Sequence, residues 1–151
     1  MAMGALMATG LVSQALGQEV GVAIAIAFTE GPTADRAGNV YFTDIVSERI
    51  LKLDPQGVLT TFRGNSNSAN GLLVDSQDRL VAAEGAPSTR TGVRLARKPQ
   101  ITRTDLRTGA VEILADSYAG QAFTAPNDLT MDGIGRIYFT DMTAAAVYRI
   151  D

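Results

Sequence analysis

Downstream of residue 20, apolar and polar positions alternate in short runs separated by Gly, Asp, Asn and Pro. The clearest runs are Val40-Tyr41-Phe42-Thr43 and Arg49-Ile50-Leu51-Lys52-Leu53. A two-residue period rich in β-branched and aromatic residues predicts β-strands joined by tight turns. No segment in this part of the chain sustains the 3.6-residue period of an amphipathic helix. The pattern therefore predicts an all-β chain.

The strand pattern is repeated along the chain. Residues 35–54 and 132–151 align without a gap at an offset of 97, and both contain Tyr-Phe-Thr-Asp. A third copy covers residues 75–84 at an offset of 40 and resumes at residues 101–105 after an insertion of 11 residues. Each unit of about 40 residues holds four short strands, which is typical of a β-propeller blade. We predict a partial β-propeller with about three blades of four-stranded antiparallel sheets, spanning about 28–64, 68–116 and 125–151.

The composition narrows the chemistry that is open to the chain. Its 151 residues include neither cysteine nor histidine. This excludes disulfides, thiolate zinc sites, cysteine nucleophiles and an imidazole general base from these residues. A metal ion would depend on oxygen ligands, which favours hard cations such as Ca²⁺ or Mg²⁺. A net charge of −3 gives no reason to expect nucleic acid or an anionic membrane as a partner.

The N-terminal segment, residues 1–17, has no charged side chain and is rich in Ala, Met, Leu and Gly. It is shorter than the ~20 apolar residues of a membrane helix. It ends in Ala15-Leu16-Gly17, a small-x-small pattern typical of a signal peptide cleavage site, although no basic residue precedes Arg36. We interpret it as a signal peptide and predict a periplasmic or secreted protein. If it is instead an ordinary buried N-terminus, the protein is expected in the cytoplasm.

Three oxygen-bearing side chains occupy one position of the repeat. Glu30, Asn70 and Asn127 each lie five residues before the first aspartate of their unit. Equivalent positions of a radial repeat lie at equivalent radii, so we expect these side chains to converge on the channel axis. A carboxylate with amide oxygens is a ligand set that suits a hard cation. The alternative is that they cap turns, as Asn-Gly and Asn-Asp dipeptides often do.

Two further groups of charged residues could have a functional role, but each also has a purely structural interpretation. Asp44, Glu84 and Asp141 end the second strand of their units, and we interpret them as turn-capping residues rather than as additional ligands. A cationic insertion could bind a carboxylate or phosphate group of a substrate, but we favour a solvated surface loop. No aromatic residues interleave with these cations, which argues against nucleic acid. The cations are Arg90, Arg94, Arg97 and Lys98.

Several of these motifs together resemble the SMP-30/gluconolactonase family. They are Thr29-Glu30-Gly31-Pro32 followed by Gly38-Asn39-Val40-Tyr41-Phe42-Thr43-Asp44, then Ser68-Ala69-Asn70-Gly71-Leu72, and finally Ala125-Pro126-Asn127-Asp128-Leu129 with residues 135–141. The resemblance implies a six-bladed propeller, of which this chain would be the N-terminal half. It also implies hydrolysis of sugar lactones or related esters at one divalent cation in the central channel.

The resemblance assigns roles to two of these residues. It implies Glu30 and Asn127 as metal ligands. From the repeat register, we expect Asn70 to contact substrate rather than metal. Asp128, next to Asn127, contacts substrate, orients Asn127 or is a solvated turn residue. Calcium is the expected cation, with Mg²⁺ or Zn²⁺ as alternatives. The general base, a carboxylate in a chain without histidine, is expected beyond Asp151.

Three functional hypotheses follow. The first is a metal-dependent lactonase or esterase acting on a small molecule, with this chain as an incomplete part of it. The second is a non-catalytic propeller that serves as a binding module. The third is self-pairing of two copies through their open sheet edges, since unpaired edges invite association.

Overall fold

The computed structural model describes residues 21–25, 28–85 and 97–151. All regular structure in these ranges is β-strand, as the alternating pattern predicted. The strands are β1 (Thr29–Ala34), β2 (Val40–Asp44), β3 (Arg49–Leu53), β4 (Leu59–Gly64), β5 (Leu72–Val74), β6 (Arg79–Glu84), β7 (Gln100–Asp105), β8 (Val111–Ala115), β9 (Ser117–Tyr118), β10 (Gln121–Ala122), β11 (Pro126–Met131), β12 (Ile137–Asp141) and β13 (Ala146–Ile150).

The strands form three antiparallel meanders that follow one another along the chain. Sheet I has the order β1-β2-β3-β4, sheet II the order β5-β6-β7-β8, and sheet III the order β11-β12-β13. Sheets I and II thus have the predicted four strands, whereas sheet III has three. The first strands lie side by side, with β5 in contact with both β1 and β11. These three strands therefore share one inner side of the assembly.

The same aspartate turn follows the first strand of each sheet. In sheet III, the carboxylate of Asp132 accepts backbone N–H groups from Ile134 at 3.1 Å and Arg136 at 3.0 Å. Partial loss of solvent raises the pKa of Asp132, but these bonds and the Arg136 guanidinium outweigh that effect and lower it to about 2. Asp35 and Asp75 make the equivalent turns. The repeated aspartate thus stabilises the turn between the first and second strands of each sheet.

Two apolar layers hold the sheets together. One lies between sheets I and II and is centred on Tyr41, Ile50, Leu72 and Leu80. The other lies between sheets II and III and is built by Val81, Ala83, Ile101, Phe123, Ile137 and Phe139. Alternate residues of β6 enter opposite layers, because successive side chains of a strand point to opposite faces. Sheet II is therefore apolar on both faces.

A short hairpin was not anticipated from the sequence. Strands β9 and β10 pair between sheets II and III, where Tyr118 lies 5.5 Å from Tyr148, measured between ring centroids. The described residues contain no helix that is long and apolar enough to cross a membrane. The predicted signal peptide, residues 1–17, lies outside the described residues, so that interpretation and the expected location remain predictions.

Candidate functional site

The three residues at the common repeat position lie at one end of their sheets. Glu30 pairs with Thr43 near the end of β2, and Asn70 donates its backbone N–H to the carbonyl of Ala83 near the end of β6, at 2.8 Å. Asn127 follows Pro126, which pairs with Asp141 at the end of β12. The register deduced from the sequence is thus the register of the structure.

The inner strands are irregular where these residues lie. The pairing of β1 with β2 shifts between Glu30 and Thr33, and that of β11 with β12 shifts between Pro126 and Leu129. In sheet II, regular pairing of the first strand begins only at Leu72. Bulges of this kind re-aim side chains and are common beside functional sites.

Neighbouring inner strands approach very closely here. The backbone N–H of Gly71 donates to the carbonyl of Asn127 at 2.7 Å, joining sheet II to sheet III. A Cβ atom at Gly31 would lie 2.7 Å from the Cα of Gly71, and one at Gly71 would lie 2.9 Å from the Cα of Asp128. Both distances are too short for a real Cβ, so glycine is required at the two positions by space.

A depression of about 380 Å³ opens between these strands. All four residues singled out from the sequence line it: Glu30, Asn70, Asn127 and Asp128. The two carboxylates are exposed and the two asparagines are half-buried. Sequence reasoning did not anticipate the rest of the lining, which is mainly apolar or glycine and consists of Gly31, Pro32, Thr33, Leu72, Leu73 and Leu129.

The polar side-chain atoms that line this depression are oxygens, except for the amide nitrogens of the two asparagines. Two carboxylates and two side-chain amides match the ligands that calcium and magnesium take, and no lining residue is basic. Among the described residues, no three acidic side chains gather closely enough to hold a metal ion by themselves. A cation here would therefore need oxygen ligands besides the acids, and the side-chain amide of Asn127 can supply one.

The strand-end acids do not line the depression. Asp141 is buried and accepts hydrogen bonds from the backbone of Thr124 at 2.7 Å, Ala125 at 2.9 Å and Ala144 at 3.1 Å. Burial raises its pKa, but the bonds, first among them that of the Thr124 hydroxyl, outweigh burial and lower it. The capping interpretation is thus confirmed for Asp141. Asp44 is buried as well and receives the Arg49 guanidinium at 2.7 Å.

The carboxylate of Glu84 makes contacts that the turn-cap interpretation did not anticipate. Among the described residues it binds the guanidinium of Arg63, the amide of Gln100 at 2.9 Å and the hydroxyl of Thr102 at 2.5 Å, while most of the turn that follows Glu84 lies outside the described residues. Arg63 comes from β4 of sheet I and also donates to Thr104 at 2.9 Å. This buried ion pair therefore ties sheet I to sheet II. Nothing in the local sequence marks it, because its partners are 21 residues apart.

The described cations of the insertion contact acids of the protein. Arg97 donates to Glu48 at 3.1 Å and to the carbonyl of Asn65 at 3.2 Å. Lys98 lies 3.8 Å from Asp116, and both side chains are exposed. Neither cation lines the depression. Arg90 and Arg94 lie outside the described residues.

The geometry agrees with what comparison of the whole chain shows. The profile of the SMP-30/Gluconolactonase/LRE-like region matches residues 28–150. The chain belongs to this family. Among curated proteins, the gluconolactonase of Zymomonas mobilis subsp. mobilis is 28% identical to it over 124 residues, which are 80% of this chain and 35% of that protein.

Solved structures show the same fold. The gluconolactonase of Xanthomonas campestris superposes with a TM-score of 0.69 at 26% identity, over 83% of this chain and 44% of that one. Virginiamycin B lyase of Staphylococcus aureus superposes with a TM-score of 0.61 at 20% identity, over 82% of this chain and 38% of that one, which shows the fold alone. The predicted all-β, partial β-propeller is thus confirmed. This member of the SMP-30/gluconolactonase family spans less than half the length of these relatives.

Proposed function

We propose that the full-length protein hydrolyses a sugar lactone or related ester at a divalent cation, and that residues 28–151 supply one side of its active site. The observation that supports this best is the depression in which Glu30, Asn70, Asn127 and Asp128 meet. The gluconolactonases among its relatives support the substrate class. Their greater length supports the proposal that the remainder of the site lies outside this chain.

Glu30 and Asn127 are the proposed cation ligands. The carboxylate supplies charge, and the amide oxygen supplies a neutral donor from a different sheet. Calcium fits such an oxygen set best, Mg²⁺ fits it in a stricter geometry, and Zn²⁺ is the least suited because it prefers nitrogen and sulfur. When bound, the cation would polarise the lactone carbonyl and stabilise the negative charge that develops on its oxygen.

The chain's own residues would position the substrate. Asn70 can donate to a lactone hydroxyl and accept from another through its amide. Asp128 can accept from a substrate hydroxyl or orient the amide of Asn127. The proposed general base is a carboxylate beyond Asp151, which would take a proton from the attacking water. The apolar lining from Leu72, Leu73 and Leu129 would limit water around the substrate.

Calcium titration of the full-length protein by calorimetry tests the ligand assignment. Glu30→Gln keeps the size of the side chain and removes its charge, so we expect calcium affinity to fall at least about tenfold. Glu112→Gln is the matched control, since Glu112 lies on the outer strand β8 and pairs there with Arg103. Unchanged affinity in Glu30→Gln would overturn the assignment.

A hydrolysis assay separates the enzyme from the binding module. The wild-type protein should release acid from gluconolactone in a pH-stat, and a chelator should abolish the release. Calcium binding without hydrolysis of any lactone or ester would favour the non-catalytic alternative.

A further inference from the structure

The side chain of Thr43 connects two of the site residues. Its hydroxyl lies 3.1 Å from the carbonyl oxygen of Glu30 and 3.0 Å from that of Asn70. A threonine hydroxyl has one proton, so the two carbonyls share one donor. Glu30 belongs to sheet I and Asn70 to sheet II. We infer that Thr43 is a positioning residue that fixes the spacing between Glu30 and Asn70 across the first sheet junction.

The surroundings of Thr43 leave it little freedom. It is fully buried, and it pairs with Glu30 within the β1–β2 ladder. The Thr43 backbone is therefore held by the sheet, and a β-branched side chain has few rotamers. The position of its hydroxyl is therefore fixed, and it determines where the two carbonyl oxygens lie.

The close approach at Gly31 makes this bridge possible. A Cβ atom at residue 31 would lie 2.8 Å from the backbone nitrogen of Leu72 and closer still to the carbonyl oxygen of Asn70. The absence of that atom lets β1 pass against the Asn70-Gly71 peptide. Glycine thus permits the approach, and the threonine hydroxyl sets its distance.

The second sheet junction shows why the side chain matters at the first. The carbonyl of Asn127, equivalent to that of Asn70, accepts the backbone N–H of Gly71 at 2.7 Å. Sheet II has Ala83 at the position of Thr43, with no hydroxyl to offer. Sheet III again has a threonine, Thr140, whose hydroxyl accepts the N–H of Asp128 at 3.0 Å. The first junction is therefore the one where a single side chain holds the site carbonyl.

The inference rests on the proposed function, because calcium and lactone binding are its readouts. Thr43→Val has the same shape and lacks the hydroxyl, and Thr43→Ser restores the hydroxyl. If Thr43→Val does not fold, Thr43→Ala replaces it, since alanine is the natural residue at position 83. Thr104→Val is the matched control: Thr104 is equally buried, accepts a bond from Arg63 and does not touch the depression.

Calcium affinity and the KM for gluconolactone are measured on folded full-length variants, with melting temperature recorded for each. We expect Thr43→Val to weaken calcium binding and raise the KM by about fivefold each, with kcat at saturating calcium unchanged. Thr43→Ser should stay within about twofold of the wild type. Thr104→Val should lower the melting temperature and leave calcium affinity within about twofold.

The outcomes separate this inference from the proposed function. If Glu30→Gln weakens calcium binding and Thr43→Val does not, Thr43 has only a structural role and the inference is wrong while the proposed function stands. If neither variant changes calcium binding, both are wrong. Equal weakening by Thr43→Val and Thr104→Val would also overturn the inference, because it would reflect general loss of stability.

Discussion

Replacing Gly71 by alanine tests the junction that brings the site residues together. The new Cβ would lie 2.9 Å from the Cα of Asp128, whereas ordinary van der Waals contact begins near 3.4 Å, so the backbone would have to retreat by at least 0.5 Å. The same methyl group would meet the Asn127 carbonyl, to which the Gly71 N–H is bonded at 2.7 Å. Gly71 has no positive φ. The penalty is therefore one of space and not of backbone conformation.

The magnitude is the sum of two losses. Overpacking against backbone costs about 1–3 kcal/mol, and loss of a buried hydrogen bond costs about 1 kcal/mol. Alanine also restricts the unfolded chain, which stabilises by about 0.4–1 kcal/mol. The matched control Gly133→Ala shares that gain, since Gly133 has nothing within 4 Å and no positive φ. Relative to this control, Gly71→Ala should destabilise by about 2–4 kcal/mol.

Urea unfolding followed by circular dichroism measures the difference, and calcium calorimetry on the folded variants reports the site. We expect Gly71→Ala to unfold at a lower urea concentration than Gly133→Ala and to bind calcium more weakly, because Asn127 is displaced. If the two variants unfold within about 0.5 kcal/mol of each other, the inner strands do not approach as the structure has them, and the geometry of the depression is wrong.

Three further predictions concern charged and titrating groups. Arg63→Met leaves Glu84 buried without its partner and should cost about 3–5 kcal/mol in urea unfolding, whereas Arg149→Met at the exposed pair with Asp151 should change nothing measurable. The folded protein holds the pKa of Asp141 below its ordinary value of 3.8, so the ionised carboxylate stabilises the fold above pH 3.8 and this stabilisation is lost as the pH falls through the folded pKa. Asp141→Asn should therefore lose less stability below pH 4 than the wild type does, which urea midpoints at acid and neutral pH would show. Burial and the hydrogen bond to Asp35 raise the pKa of Tyr41 from 10.0 to about 12, so the stability of the wild type should fall as the pH rises from 10 toward 12. Tyr41→Phe should not show this fall, and it should remove the component of the tyrosine ultraviolet titration that appears at the highest pH. An unchanged titration would contradict the assignment.

The repeat register was the part of the structure that the sequence could reveal. Period-2 alternation and the offsets of 40 and 97 place Glu30, Asn70 and Asn127 at one level of three sheets without any distance being known. That placement is confirmed, since all three line one depression with Asp128. The functional roles of these residues remain predictions, because the same side chains could also cap turns.

Other features depend on contacts between distant residues and could not be predicted. The sequence places Arg63 in a strand that alternates normally, and only packing of sheet I on sheet II shows that its guanidinium reaches Glu84. The carboxylates of Glu48 and Asp116, which pair with Arg97 and Lys98, are likewise distant from these cations in sequence. Strands β9 and β10 have only two residues each. Such strands are too short for a two-residue period to be recognised.

Position 128 shows how the repeat departs from itself at the site. Its equivalents in sheets I and II are Gly31 and Gly71, where the next inner strand lies too close for a Cβ atom. Asp128 carries a Cβ and a carboxylate, so any backbone that approached it as Asn70 approaches Gly31 would collide with that side chain. A segment packed beside sheet III would therefore have to stand further from its inner strand than sheet II stands from the inner strand of sheet I.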